Sequence, residues 1–315
     1  MQRRPLGRTG LEVSILGFGG APLGDEYGGI TEAEGAAAVH HALDHGVNFI
    51  DVAPYYGRTL AEERLGRALE GRRDEVVLAT KCCRFDKRGF DFSAARVHAD
   101  IDACLARLRT DRIDLFQIHD VEFGDRAQIL AETLPAMREV QAAGKARFIG
   151  ITGLPVRLLR DLATEFPVDT VLSYCHYNLL VDDLQDVLVP LARERGMGLI
   201  NASPLHMGIL SSGGEQPWHP APPEVKEAGR KIAALCAERG TDVVTVALRF
   251  ALDNEDVATT LCGMRRPEEV AHNLSILASR NDPALLAEIA EIVAPVKNRT
   301  WHEGLPENAP PGLDQ

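Results

Sequence analysis

Cysteine is scarce in this 315-residue chain, and its six thiols, Cys82, Cys83, Cys104, Cys175, Cys236 and Cys262, show no C-x-x-C spacing. Its absence excludes the common zinc and dithiol frameworks, and the adjacent Cys82 and Cys83 make a poor structural disulfide. A reducing cytoplasm is the expected location, and no metal is expected. Long apolar runs are also missing. Nothing approaches the roughly 20 residues of a membrane span, and no apolar stretch follows Met1-Gln2-Arg3-Arg4. Positive charge is short: 34 Lys and Arg stand against 46 Asp and Glu, a net charge of −12. Binding to nucleic acid or to an anionic membrane needs a dense cationic face, so a small-molecule partner is expected instead. Glycine- and proline-rich breaks are few. The longest, Ser211 to Pro223, is too short to link two domains and reads as a loop over one face.

What is present is a regular alternation. Short β-branched or apolar runs occur at 13–18, 49–51, 76–81, 113–119, 148–152, 170–174, 198–202 and 259–263. Between them lie amphipathic stretches, the first opened by the capping box Thr31-Glu32-Ala33-Glu34 and running to about Leu43. Further helices are expected at 61–69, 94–108, 125–143, 156–165, 184–195, 223–239 with 243–252, and 267–278. Eight such units point to an α/β fold, a single-domain (β/α)8 barrel over residues 1–315, with 295–315 as a polar tail over the barrel. Trp301 in that tail is either a buried anchor or part of a lid. The glycine-rich stretch Gly17 to Pro22 is no dinucleotide fingerprint, because proline stands where the third glycine belongs.

In such a barrel, side chains at the carboxyl ends of the strands converge on one mouth. The ends here are Asp51, followed closely by Tyr56, then Lys81 and His119. A lysine cation beside a tyrosine favours its phenolate, an aspartate holds the lysine charged, and a histidine can hydrogen-bond the oxygen that trades a proton with the tyrosine. None of the four carries electrons, so the set calls for a hydride-carrying cofactor. His40, His41 and His45 read as solvated helix surface.

The set Asp51, Tyr56-Gly57, Ala79-Thr80-Lys81 and His119 resembles the catalytic tetrad of the aldo-keto reductases, and the likeness covers nearly the whole chain. The subgroup pattern of NAD-dependent L-galactose dehydrogenases is similar in Pro54-Tyr55-Tyr56-Gly57, Gly89 to Ser93, Gly150 to Pro155, Ser173 to Tyr177, Ala202 to Leu205 and Val296 to Trp301. The resemblance implies that Tyr56 is the acid/base, that Lys81 and Asp51 tune it, and that His119 orients the substrate oxygen. It implies a cofactor site at Gly20, Thr152, Ser173, Tyr174, Ser203, Leu205, Gly263, Arg265, Glu269 and Asn273, with Ser203 and Leu205 at the pyrophosphate and Asn273 at the adenine. The wider family usually has Ser-Asn at Thr152-Gly153, Gln at Tyr174 and an aromatic ring at Ala202, so Ser173, Thr152 or backbone groups are the expected substitutes. NADP-using relatives carry Lys and Arg where Gly263 and Glu269 stand. A carboxylate repels a 2′-phosphate and can accept a bond from a free ribose hydroxyl, so NAD is expected over NADP.

The implied activity is oxidation of the anomeric hydroxyl of an aldose to a lactone, L-galactose first, then L-fucose, another aldose or a pyridoxal-type alcohol. An NADPH-dependent carbonyl reductase and a cofactor-sensing regulatory barrel are the alternatives. Tyr55, Phe85, Asp120 and Trp301 are candidate substrate contacts, and a monomer or small homo-oligomer is expected.

Overall fold

The computed structural model describes residues 1–26 and 28–309. A two-stranded antiparallel hairpin, β1 (Arg3–Pro5) and β2 (Glu12–Ser14), precedes a closed parallel barrel. The barrel strands are β3 (Leu16–Gly19), β4 (Phe49–Asp51), β5 (Val77–Cys82), β6 (Ile113–Ile118), β7 (Ala146–Gly153), β8 (Thr170–Tyr174), β9 (Gly198–Ala202) and β10 (Thr259–Gly263), with β10 pairing back onto β3. The fold is the single-domain (β/α)8 barrel that the alternation implies. Its helices are α1 (Glu32–Asp44), α2 (Leu60–Ala68), α3 (Ala94–Arg107), α4 (Arg126–Gln128), α5 (Leu134–Ala142), α6 (Val156–Glu165), α7 (Leu184–Val187), α8 (Val189–Arg195), α9 (Pro223–Glu238), α10 (Val243–Leu252), α11 (Pro267–Ile276) and α12 (Pro283–Val293). Among the described residues, no helix is long and apolar enough to cross a membrane.

Side chains alternate along each barrel strand. Phe49, Val77, Ala79, Leu115, Leu172, Ile200 and Leu261 form one buried cluster inside the barrel. Leu78, Phe116, Ile149, Ile151 and Val171, one residue off in register, pack outward under the helices. The same alternation turns Asp51, Lys81, Thr152, Tyr174, Ala202 and Gly263 toward the barrel axis at its carboxyl end.

Several elements differ from the sequence expectation. The run 13–18 is two strands, because the chain turns at Ile15 from the hairpin into the barrel. The helix expected at 125–143 contains a π turn over Ile129–Thr133, just ahead of Pro135, which has no N–H for an α-helical bond. The one expected at 184–195 breaks at Leu188, before Pro190. The helix α12 was not expected at all. It lies beyond the eighth strand–helix unit, capped by Asp282 and burying Leu285, Ile289 and Val293 at a spacing of four. His40 is half-buried, its Nε2 2.7 Å from the Ala68 carbonyl oxygen on α2, rather than solvated surface. Residues 310–315 of the tail lie outside the described residues.

Candidate active site

The site begins with a buried charge. Lys81 lies inside β5, 1% exposed, and its ammonium donates to the Asp51 carboxylate on the neighbouring strand. It donates also to the Val52 carbonyl oxygen at 3.0 Å and to the Tyr56 hydroxyl at 3.2 Å. Gln117, two residues before His119 on the inward face of β6, donates from Nε2 to the other Asp51 oxygen at 2.9 Å. Gln117 was not among the expected site residues, although the period of two places it on the same face as His119. Burial pulls the Lys81 ammonium down in pKa, but Asp51 and Tyr56 outweigh it, so the lysine stays charged.

Tyr56 stands in the turn between β4 and α2, and close backbone packing fixes it there. Gly57 has φ +62°, and a side chain on it would meet the Gly24 carbonyl oxygen at 2.3 Å. A side chain on Gly24 would in turn lie 2.5 Å from the Tyr56 carbonyl carbon. Only glycine admits this crossing. Behind the turn, α2 is secured by the buried Glu62, which accepts from Thr80 on β5 at 2.6 Å and from Arg107 at 2.6 Å. The Tyr56 hydroxyl is pushed up to about 12 by burial, against the opposing pull of Lys81. Lys81 favours the phenolate, as expected of a cation beside a phenol, and the cost of desolvating the phenolate is the larger effect.

His119 follows β6 directly, 4% exposed, with its ring edge-on to Tyr56 (centroids 5.7 Å apart) and to Tyr55 (5.9 Å). Burial, with Lys81 and Arg84 nearby, holds it well below the usual imidazole range, so it is neutral at physiological pH. Its Nδ1 is buried without a partner. Asp51, Tyr56, Lys81 and His119 thus share one mouth.

The cofactor candidates separate into groups. Thr152 is buried and accepts the Asp120 N–H at 3.1 Å, while the Tyr174 hydroxyl donates to Glu122 at 3.2 Å. Ser173 faces the opposite way, since Leu172 and Tyr174 flank it on the inward face, and its hydroxyl is buried without a partner. Gly20 closes the end of β3, its N–H donating to the Asp51 carbonyl oxygen at 2.7 Å. Ser203 and Leu205 sit in the turn after β9, Ser203 with φ 55°. Asn273 on α11 is buried and donates to Cys262 at 3.3 Å. Glu269 does not stand free: its carboxylate accepts the Arg265 N–H at 2.7 Å and the guanidinium at 2.7 and 3.0 Å. Arg266 is matched likewise by Glu34 at 2.9 Å.

The inward positions around the mouth differ in size. Asp51, Lys81 and His119 occupy the arc β4 to β6, whereas Gly263 and Gly19, partners in register, carry no side chain and Ala202 only a methyl. Pro22 lies against Gly263 and the Cys262 carbonyl oxygen against Gly19, so the fit to a cofactor rests on the polar groups around them: the hydroxyls of Thr152, Tyr174 and Ser203 and the Asn273 amide are a donor set that suits a nicotinamide dinucleotide.

Among the substrate candidates, Tyr55 lies beneath the Arg84 guanidinium at 3.9 Å, and Arg84 is ion-paired with Asp120, whose carboxylate is 3.6 Å from His119 Nε2. Phe85 turns to α3, under the Arg96 guanidinium at 4.4 Å. Trp301 is 7% exposed and packs edge-on against His206 and His219, which makes it an anchor for the tail. Arg84, Glu122 and Glu303 were missed by sequence reasoning.

Among the described residues, no three His, Cys, Asp or Glu side chains are placed to hold a metal, and all six cysteines are buried and free. His176, beside Cys175, pairs through Nδ1 with Asp183 at 2.6 Å. A cleft of about 470 Å³ at the amino-terminal face, between Arg3, Asp74, Asp114 and Arg147, contains none of the tetrad.

Comparison with known proteins agrees with this geometry. The chain is 42% identical to the L-galactose dehydrogenase of Arabidopsis thaliana over 98% of its own length and 99% of the relative's. It is 29% identical to the D-threo-aldose 1-dehydrogenase of a Pseudomonas species, over 90% and 95% of the two chains. In structure it is similar to the holo form of an aldo-keto reductase from Bacillus halodurans, with a TM-score of 0.78 at 27% identity, covering 96% of this chain and 99% of that one. A barrel with a tyrosine, lysine, aspartate and histidine at its mouth, matched over residues 15–294 by the sequence model of the aldo/keto reductases, belongs to that family of oxidoreductases acting on CH–OH or carbonyl groups.

Proposed function

We propose that this protein is an NAD-dependent sugar 1-dehydrogenase that oxidises the anomeric hydroxyl of an aldose, L-galactose first among them, to the lactone. The observation that carries the reading is the Tyr56 hydroxyl, 3.2 Å from the buried, charged Lys81, with the neutral His119 ring edge-on beside it. Relatives named L-galactose dehydrogenase and D-threo-aldose 1-dehydrogenase support the substrate class.

Tyr56 takes the proton of the C1 hydroxyl, and Lys81, held by Asp51, stabilises the phenolate that does so. Neutral His119 hydrogen-bonds the same oxygen and fixes its direction. A bound nicotinamide supplies the acceptor for the hydride leaving C1. Thr152, Tyr174 and the turn at Ser203 to Leu205 are the residues that would hold the cofactor, with Asn273 at its adenine end.

The choice of NAD follows from two ion pairs. A 2′-phosphate would have to displace Glu269 from Arg265 and Glu34 from Arg266. Glu34 is firmly ionised, held at about 2 first by the Thr31 N–H and then by Arg266. Initial rates with L-galactose, L-fucose and other aldoses, each with NAD and NADP, test the reading. NADH formation from an aldose supports it, and reduction of aldehydes with NADPH without any sugar oxidation overturns it. The double variant Glu34→Gln/Glu269→Gln removes both opposing carboxylates from Arg266 and Arg265, so its preference for NAD over NADP is expected to narrow by at least about tenfold. An unchanged ratio would place the 2′ recognition elsewhere.

The pH dependence has a definite sign. Oxidation needs the phenolate of Tyr56, a minor form below a pKa of about 12. The rate is therefore expected to rise with pH by up to about tenfold per unit from neutrality to mild alkali. His119, neutral throughout, adds no bend between pH 5 and 7. A flat profile in that range, under conditions where chemistry limits turnover, would remove Tyr56 from the proton step.

A further inference from the structure

The tetrad and the cofactor cradle leave one buried polar cluster at the mouth unused. Arg84 follows β5 in a small loop closed by the bridge between Arg84 and Phe90. Its guanidinium is packed over Tyr55 at 3.9 Å, with the rings of Phe90 and Phe123 at 5.2 and 5.4 Å, and it is paired with Asp120. Its Nε is buried and makes no hydrogen bond. Asp120 sits immediately after His119 in a left-handed conformation, φ 51°, pinned by its N–H to Thr152. A non-glycine residue held in this conformation is a costly placement, and here it aims the carboxylate at the mouth.

The third member is on the tail. Gly304 has φ +100° and crosses the Glu122 carbonyl oxygen so closely that a side chain would come within 2.2 Å. That same oxygen accepts the Leu305 N–H at 2.8 Å and the Asn308 amide at 2.9 Å, and Asn308 also bonds the Gly124 carbonyl oxygen at 2.9 Å. With Trp301 buried on one side and these bonds on the other, Glu303 is fixed beside the loop that carries Asp120. Burial and the Asp120 charge raise its carboxyl, and Arg84 draws it the other way. Burial first, with the Glu303 charge among the lesser causes, raises the Tyr55 and Tyr174 hydroxyls as well.

From this placement we infer that Arg84, Asp120 and Glu303 form a hydroxyl-reading corner for a neutral polyhydroxylated substrate, contacting hydroxyls away from C1 while Tyr56 and His119 hold the C1 oxygen. The Asp120 carboxylate, 3.6 Å from His119 Nε2, and the Glu303 carboxyl each gain by accepting from a substrate O–H, and Arg84 supplies a buried donor for the ring or hydroxyl oxygens. The same corner opposes phosphorylated or carboxylated sugars, whose charge would meet Asp120 and Glu303. The inference deepens the dehydrogenase reading of this site and rests on it.

The test compares the full-length protein with Glu303→Gln and Glu303→Ala on an oxidised aldose and its single-deoxy analogues, L-galactose and L-fucose being one such pair. For the fully hydroxylated sugar, kcat/KM is expected to fall on the order of ten- to a hundredfold, mainly through KM, because a site built to bond a hydroxyl discriminates by that bond. For the analogue lacking the hydroxyl that is read, the fall is expected to be under about threefold, so discrimination between the two collapses. NAD affinity, followed by tryptophan fluorescence, should be unmoved and reports whether the mouth is intact. An equal loss on every analogue, or a loss confined to kcat, would overturn the corner while leaving the dehydrogenase reading in place. If the unmodified protein neither oxidises nor binds any aldose, both fall together.

Discussion

Replacing Tyr56 by Phe is expected to lower the rate of aldose oxidation by about 10²–10⁴-fold, the range over which a positioned proton acceptor acts. The variant should remain folded, because Lys81 retains Asp51 and the Val52 carbonyl oxygen and loses only its third acceptor. The ring itself also stays, edge-on to His119 at the position set by the crossing of Gly24 and Gly57. Stopped-flow or steady-state rates, taken with the thermal midpoint and the affinity for NAD, separate chemistry from binding. A variant within about tenfold of the unmodified rate, where chemistry is limiting, would show that another group or a water takes the proton.

The tetrad was legible because each member is tied to a local pattern. Apolar runs ending in Asp51, Lys81 and His119 announce strands that deliver polar groups to one edge, and the number of such runs closes a barrel. The balance of forces on Tyr56 was not legible. Lysine beside tyrosine suggests a lowered phenol, but the opposing burial depends on how Gly24 packs behind the turn, which no local spacing reports. Ser173 and Tyr174 show how much one residue decides. A period of two puts Tyr174 at the mouth and Ser173 against the helices, so the serine that the family resemblance offers faces away. The corner formed by Arg84, Asp120 and Glu303 unites three loops far apart in sequence; Asp120 was expected as a substrate contact, whereas Arg84 and Glu303 each resemble an ordinary surface charge. Glu269 is a related case: its sign was readable, while its engagement with Arg265 one helical turn away emerged only from the fold. The helix α12 carried a readable signal in Asp282 and Pro283, but it lies outside the repeating unit that identifies the barrel.

The second large effect concerns stability and separates what the buried pair contributes to folding from what it does for catalysis. Asp51→Leu leaves the Lys81 ammonium 2% exposed at its side chain, with a carbonyl and a phenol but no counter-charge. Breaking a buried ion pair from one side costs about 3–5 kcal/mol, far more than the pair contributes relative to an apolar replacement. The single variant is therefore expected to unfold at a markedly lower denaturant concentration, and to lose activity because the lysine then sheds its proton or swings away from Tyr56. In Asp51→Leu/Lys81→Met both charges go together. Most of the lost stability should return, since the desolvated cation is gone and Gln117 loses only one acceptor. Activity should not return, because no cation remains to stabilise the Tyr56 phenolate, and burial alone then governs its pKa. Denaturation midpoints and rates measured on the two variants decide the matter. Equal midpoints for the single variant and the unmodified protein would mean that Lys81 is not charged in the fold, and the electrostatic account of Tyr56 would fall with it.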